Sequence, residues 1–66
     1  MDKIPGLVTD IHDHDKSVVE VKCKNETIKA QNMLSHLKLG DYVIVHNGII
    51  IEIISEKHAE ELMRHH

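Results

Sequence analysis

The strongest constraint on the fold is the dipeptide Asn47-Gly48, which separates the two most hydrophobic stretches of this 66-residue chain. A two-residue type I′ turn needs positive φ at both central residues, and Asn followed by Gly meets that need most readily. Residues 42–46 and 49–54, on either side, are rich in Val and Ile, which favour strands. They are therefore predicted to form a β-hairpin, entered through a turn at Gly40-Asp41.

Three further strands are predicted upstream. Residues 7–11, 17–23 and 27–30 alternate apolar and polar side chains, the first of them only weakly, as strands with one buried face do. Lys24-Asn25 is predicted as a two-residue hairpin loop, because Asn tolerates the left-handed conformation. The alternation breaks over residues 31–39, which are expected to form a short helical turn or a packed loop around Met33, Leu34 and Leu37.

A helix is predicted to end the chain. Ser55 is placed as its N-cap, and Ala59, Leu62 and Met63 recur on one side of residues 55–64. Five short strands and a terminal helix, without the spacing of βαβ units, indicate a mainly β fold: a small, OB-like, antiparallel five-stranded barrel. We expect a single domain over residues 1–66, with the barrel at about 6–54 and the helix at about 55–64.

Composition narrows the functional class. With 8 basic and 11 acidic residues the net charge is −3, and Tyr42 is the single aromatic residue, so an OB-fold nucleic-acid binder is a weak alternative. So short a chain is expected to leave little room for a catalytic cleft, which usually needs roughly 300 Å³ or more. It is therefore predicted not to be an enzyme. The lone Cys23 and the absence of a long apolar run favour the cytoplasm over a membrane.

Three groups of residues could carry chemistry. His46 ends a strand that is otherwise apolar, and it is either a hydrogen-bonded structural histidine or a polar contact for a partner or a metal. His12 and His14 alternate with aspartates and are weak candidates as metal ligands, although a solvated turn is the simpler interpretation. Cys23 shares a strand face with valines, which favours a small core residue over a nucleophile.

Several blocks resemble one known family. They are Ile4-Pro5-Gly6, Gly40-Asp41-Tyr42-Val43, Val45-His46, Gly48, Ile51-Glu52 and the acidic helix that starts at Ser55-Glu56. In these blocks the chain resembles the HypC/HupF family of NiFe-hydrogenase maturation chaperones, and the likeness spans nearly its whole length.

The resemblance implies a function and partners. The family binds HypD, an iron–sulfur protein, while the Fe(CN)₂CO group is assembled, and then escorts that group to the precursor of the hydrogenase large subunit. It implies a partner-binding surface formed by Met1, Asp2, Ile4, Pro5, Gly6 and His46, with no nucleic acid or membrane involved.

One residue departs from the family pattern. The family carries a cysteine directly after the initiator methionine, thought to hold the iron, and this chain has Asp2 there. A carboxylate is a hard ligand, whereas iron bearing cyanide and CO suits thiolate. We therefore expect a divergent member that binds partners, has no stably bound cofactor and carries Fe(CN)₂CO at most transiently. The alternative is a small metal-delivery protein that uses His12 and His14, with Asp2 and His46 as further weak ligand candidates.

Overall fold

The computed structural model of the protein describes residues 3–12 and 17–64. Its elements, in chain order, are β1 (Ile4–Ile11), β2 (Val18–Lys22), β3 (Thr27–Asn32), β4 (Tyr42–His46), β5 (Ile49–Ile54) and α1 (Glu56–Arg64). The strands close into a barrel in the order β1-β2-β3-β5-β4. The predicted mainly β barrel with a C-terminal helix is confirmed.

One strand pairing differs in direction from the predicted antiparallel barrel. The β1–β2, β2–β3, β1–β4 and β4–β5 pairings are antiparallel, whereas β3 and β5 run parallel, with Gln31 opposite Ile49 and Asn32 opposite Ile50. Residues 33–41 carry the chain past β5, so that β4 lies beside β1 and β5 returns along β3 in the same direction. This short parallel contact closes the barrel, and closure removes the free strand edges of an open sheet.

The β4–β5 turn has the predicted geometry. Asn47 and Gly48 both have positive φ, at 53° and 77°. The Lys24-Asn25 loop also falls where it was predicted, and the Cys23 amide donates to the Glu26 carbonyl at 2.7 Å. The reason given for that loop was wrong, because Asn47 is the non-glycine residue with positive φ among residues 3–12 and 17–64.

Strand β1 begins at Ile4, three residues before the predicted start. A Pro-Gly dipeptide usually marks a turn, but Pro5-Gly6 lies within the strand because this segment pairs with β4 along the register from Ile4 opposite Val45 to Leu7 opposite Tyr42. Gly6 is buried, and a Cβ at this position would collide with Cγ1 of Val21 and lie 3.1 Å from the Lys22 carbonyl oxygen. Glycine is therefore needed here for the close approach of β1 to β2.

Residues 33–41 form the packed loop, not the helical turn. Leu34 and Leu37 pack against the core, but Met33 is 68% exposed, so its expected place among the packed residues was wrong. The loop is joined to β1 by two backbone bonds, from the Val8 amide to the Asp41 carbonyl at 2.9 Å and from the Gly40 amide to the Val8 carbonyl at 3.0 Å.

The core is aliphatic, as the composition predicts. Its fully buried side chains are Val8, Val19, Val21, Val43, Val45 and Ile50. A second apolar layer lies outside the barrel, where α1 contacts β1 and β4 and where Ile44 and Ala59 are buried without belonging to the core cluster. The helix thus explains why β4 is apolar on both faces.

Gly6→Ala tests the close approach of β1 to β2. We expect the added methyl group to lower the free energy of unfolding by about 1–3 kcal/mol, because the Val21 side chain is fully buried and has no room to move. Urea denaturation followed by circular dichroism measures the change. Lys29→Ala, on the exposed side of β3, is the control and should change stability by less than about 0.5 kcal/mol. Equal midpoints for the two variants would contradict the prediction.

Ser55→Ala tests the helix cap. The Ser55 hydroxyl accepts a hydrogen bond from the His58 amide at 3.0 Å, as predicted for an N-cap. Its loss should cost about 1 kcal/mol of unfolding free energy, whereas Ser55→Asp keeps an acceptor and should be close to neutral. Thermal denaturation compares the three proteins. A Ser55→Ala protein as stable as the wild type would contradict the stabilising role of this cap.

Candidate functional site

His46 is half-buried at the last position of β4, directly opposite Ile49 of β5. Its Nε2 lies 3.5 Å from Nδ2 of Asn47, at the limit of a hydrogen bond. Its Nδ1 is buried and has no hydrogen-bond partner among the described residues. The imidazole is thus held at the end of a strand, with Nε2 within reach of Asn47 and Nδ1 without a partner among the described residues.

The start of β1 lies beside the end of β4. Ile4 is opposite Val45, the neighbour of His46, and Pro5 is opposite Ile44. Ile4 therefore lies beside the strand end that carries His46, whereas Gly6 lies farther along β4, opposite Val43. Pro5 and Gly6 are buried and Ile4 is exposed; Met1 and Asp2 lie outside the described residues.

Ile49 was missed by the sequence reasoning. It is 38% exposed and lies directly opposite His46, so an exposed aliphatic side chain adjoins the imidazole. Ile4, which is 40% exposed, is opposite the neighbouring residue Val45 and adds exposed apolar area at this end of the barrel. Exposed apolar area next to a polar group is typical of a contact surface. The available signal was the position of Ile49 directly after the Asn47-Gly48 turn, which places it opposite His46 in the hairpin.

His12 lies at the other end of β1. It joins Asp10 and Glu20, and one potential ligand atom from each lies within 4.8 Å of the other two. The Nε2 of His12 is 3.8 Å from the nearer carboxylate oxygen of Glu20. The predicted partner in this group, His14, falls outside the described residues, and β1 pairing keeps His46 far from it.

Cys23 is buried and forms no disulfide. Burial raises the pKa of the Cys23 thiol from its ordinary value of 9.0, and the negative charge of Glu26 raises it further. Both effects disfavour the thiolate, which is the nucleophilic and metal-binding form. These features support the predicted core role.

An open pocket of about 450 Å³ lies between the ends of β1 and β3 and the following loop. It is larger than the short chain was expected to allow. Its lining is aliphatic, with polar groups from Ser17, Asn32 and Ser35. None of these described lining residues is an acid, a base or a thiol, so the pocket offers space without the groups of general acid–base catalysis.

Thiol reactivity tests the position of Cys23. We expect iodoacetamide to alkylate the native protein at pH 8 at least about tenfold more slowly than the urea-unfolded chain, because the reagent needs both local opening and the thiolate. The pKa of the Cys23 thiol is higher in the folded chain than its ordinary value of 9.0. The stability gained by keeping this thiol protonated is therefore fully present below pH 9.0 and is lost as the pH rises through the higher, folded-state pKa. Equal alkylation rates in the two states would overturn the buried, inert assignment.

Comparison with known proteins shows the family of this chain. No curated protein shows a significant sequence match to the chain. The part of the chain that the structure describes holds no helix that is long and apolar enough to cross a membrane. The sequence profile of the HupF/HypC family matches residues 3–65, which is almost the entire length. The chain therefore belongs to the HupF/HypC family, and this membership indicates a chaperone role in hydrogenase maturation.

Proposed function

We propose that this protein binds a HypD-like maturation factor, the precursor of the hydrogenase large subunit, or both in turn, while the NiFe site is assembled. It acts in the cytoplasm as a single-domain chaperone and not as an enzyme. Family membership supports the class of process. The observation that supports a binding surface at the His46 end of the barrel is the unsatisfied imidazole nitrogen described above.

An unpaired buried imidazole nitrogen costs free energy. A buried donor or acceptor without a partner costs about 1–3 kcal/mol, and proteins rarely keep such a group without a compensating role. If Asn47 donates to Nε2, the ring proton is on Nδ1, the nitrogen that lacks an acceptor. A carbonyl or carboxylate of a docked partner would accept a hydrogen bond from Nδ1, once a small rearrangement on docking exposes this buried nitrogen.

The N-terminal arm, residues 1–6, supplies the second half of the proposed surface. Ile4 offers exposed apolar area, and Pro5 and Gly6 fix the path of the chain next to β4. Met1 and Asp2 precede Ile4 and extend this surface in our proposal. A partner that docks at this end of the barrel would thus contact an aliphatic rim, formed by the exposed parts of Ile4 and Ile49, together with the imidazole of His46.

Delivery of iron by this chain is not part of the proposal. The family ligand after the initiator methionine is replaced by Asp2, and the only thiol of the chain, Cys23, is buried within the barrel. A hard carboxylate is poorly suited to the soft Fe(CN)₂CO group. We therefore propose a divergent chaperone that holds its partners, with any ligation of the iron cargo left to thiolates of those partners.

His46→Ala is expected to weaken capture of a purified HypD-like protein or large-subunit precursor by about tenfold, the effect of losing one interfacial hydrogen bond of roughly 1.4 kcal/mol. Affinity purification from the native cells first identifies which of the two partners is retained. Biolayer interferometry with that partner then measures the dissociation constants. His58→Ala is the matched control, because His58 is an exposed histidine on α1, and it should bind like the wild type.

A second pair of variants tests the aliphatic rim. Ile4→Ala should also weaken capture, whereas Leu39→Ala removes an exposed aliphatic side chain from the loop before β4, away from His46, and should not. Unchanged affinity for both His46→Ala and Ile4→Ala would refute the proposed surface. Recovery of neither partner from native cells would refute the proposed function itself.

A further inference from the structure

We infer that Asp10, His12 and Glu20 form a binding site for a divalent transition-metal ion on the outer face of the β1–β2 ladder. Of the described residues, these are the ones that bring three potential ligand atoms within 4.8 Å of one another. The inference is independent of the proposed chaperone function, because it concerns residues at the opposite end of β1 from His46. Six residues of strand separate Ile4 from Asp10, or about 20 Å at roughly 3.3 Å per residue.

A β-bulge creates the site. The β1–β2 register runs from Val8 opposite Val21 directly to Asp10 opposite Glu20, so Thr9 is an extra residue in β1. Both Val8 and Ile11 therefore face the core, although residues three apart lie on opposite faces of a regular strand. Without the bulge, the register would place Asp10 opposite Val19. Bulges re-aim side chains in this way and are frequent beside functional sites.

The bulge is also anchored at the site. The Thr9 hydroxyl donates a hydrogen bond of 3.3 Å to the carbonyl oxygen of Glu20. This bond holds the backbone of β1 and β2 together at the level of the two carboxylates. Asp10 and Glu20 thus lie on paired strands, which position side chains more accurately than a loop does, and His12 directly follows the end of β1.

The electrostatics of the site favour a cation. Asp10 and Glu20 are directly opposite each other, and like charges in a cross-strand pair are destabilising. Glu20 is also opposite Lys29 of β3, which offsets part of this repulsion and leaves Asp10 as the carboxylate without a cation opposite it in the register. His12 follows two residues after Asp10, and its Nε2 lies 3.8 Å from Glu20, too far for a hydrogen bond. That nitrogen is itself buried and unpartnered, although the side chain as a whole is 39% exposed. A bound cation would relieve the repulsion and satisfy the imidazole together.

The spacing suits a first-row metal ion. With metal–ligand bonds of about 2.1 Å, ligand atoms of a tetrahedral site are roughly 3.4 Å apart. The 3.8 Å separation between Nε2 of His12 and the Glu20 carboxylate is close to this value, and all three ligand atoms lie within 4.8 Å of one another, so a metal ion would have to draw them closer together. One imidazole and two carboxylates suit Zn²⁺ or Ni²⁺ better than Cu(I), which prefers sulfur ligands. Three protein ligands leave coordination positions open to water or another ligand.

Titration with Zn²⁺ tests the site. The titrations use a full-length background in which His65→Ala and His66→Ala remove the terminal histidine pair. Isothermal titration calorimetry should give one Zn²⁺ per chain, with thermal stability rising as Zn²⁺ is added. Asp10→Asn, His12→Ala and Glu20→Gln should each weaken Zn²⁺ binding by at least about tenfold, since even outer-shell changes at metal sites cost 10–100-fold.

Asp10→Asn is the most informative variant. It removes the like-charge pair and keeps the contact between His12 and Glu20, so the metal-free protein should be at least as stable as the wild type while its Zn²⁺-induced stabilisation is lost. Glu26→Gln and His58→Ala, which change an exposed acid and an exposed histidine elsewhere, are the matched controls and should bind Zn²⁺ within about twofold of the background. Absence of binding, or equal affinity in Asp10→Asn, His12→Ala and the controls, would overturn the assignment.

Discussion

Strand β1 is hydrogen-bonded on both sides, to β2 and to β4, and the barrel depends on this double pairing. Two local features make it possible. Gly6 lets β1 approach Val21 more closely than any side chain would allow, and the extra residue Thr9 turns the second half of the strand so that Ile11 still faces the core. Because the chain contains no Trp or Phe, its small aliphatic core has little surplus apolar area to compensate for a gap or a clash at either point.

The sequence predicted the elements whose signals are local. The hairpin at Asn47-Gly48 and the cap at Ser55 each rest on one or two residues with a strong stereochemical preference, and both appear as expected. The early start of β1 could not be predicted in the same way. Pro5-Gly6 is a turn signal by itself, and only pairing with β4, almost 40 residues later in the chain, makes it part of a strand. Tertiary pairing outweighs local preference here.

Of the two candidate sites, one could be found from local sequence signals and the other depends on tertiary structure. His46 stands out in the sequence because an imidazole ends an apolar strand, and the hairpin register then identifies Ile49 beside it. The grouping of His12 with Asp10 and Glu20 was not predictable from alternation. In a regular strand Asp10 would face the core side. The bulge changes this, and it also explains why residues 7–11 alternate only weakly between apolar and polar side chains. Irregular backbone is where pattern-based prediction fails and where functional side chains are often placed.

The two ends of β1 therefore offer different chemistry on one rigid strand. At the first end, the exposed side chains of Ile4 and Ile49 lie near an imidazole with an unsatisfied nitrogen, a combination that suits contact with another protein. At the other end, two carboxylates and an imidazole converge without any sulfur ligand. The only thiol is confined to the barrel interior, so neither end presents the soft ligand that Fe(CN)₂CO favours. The proposed partner-binding surface and the proposed metal site are thus physically separate, and a change at one of them should leave the other intact.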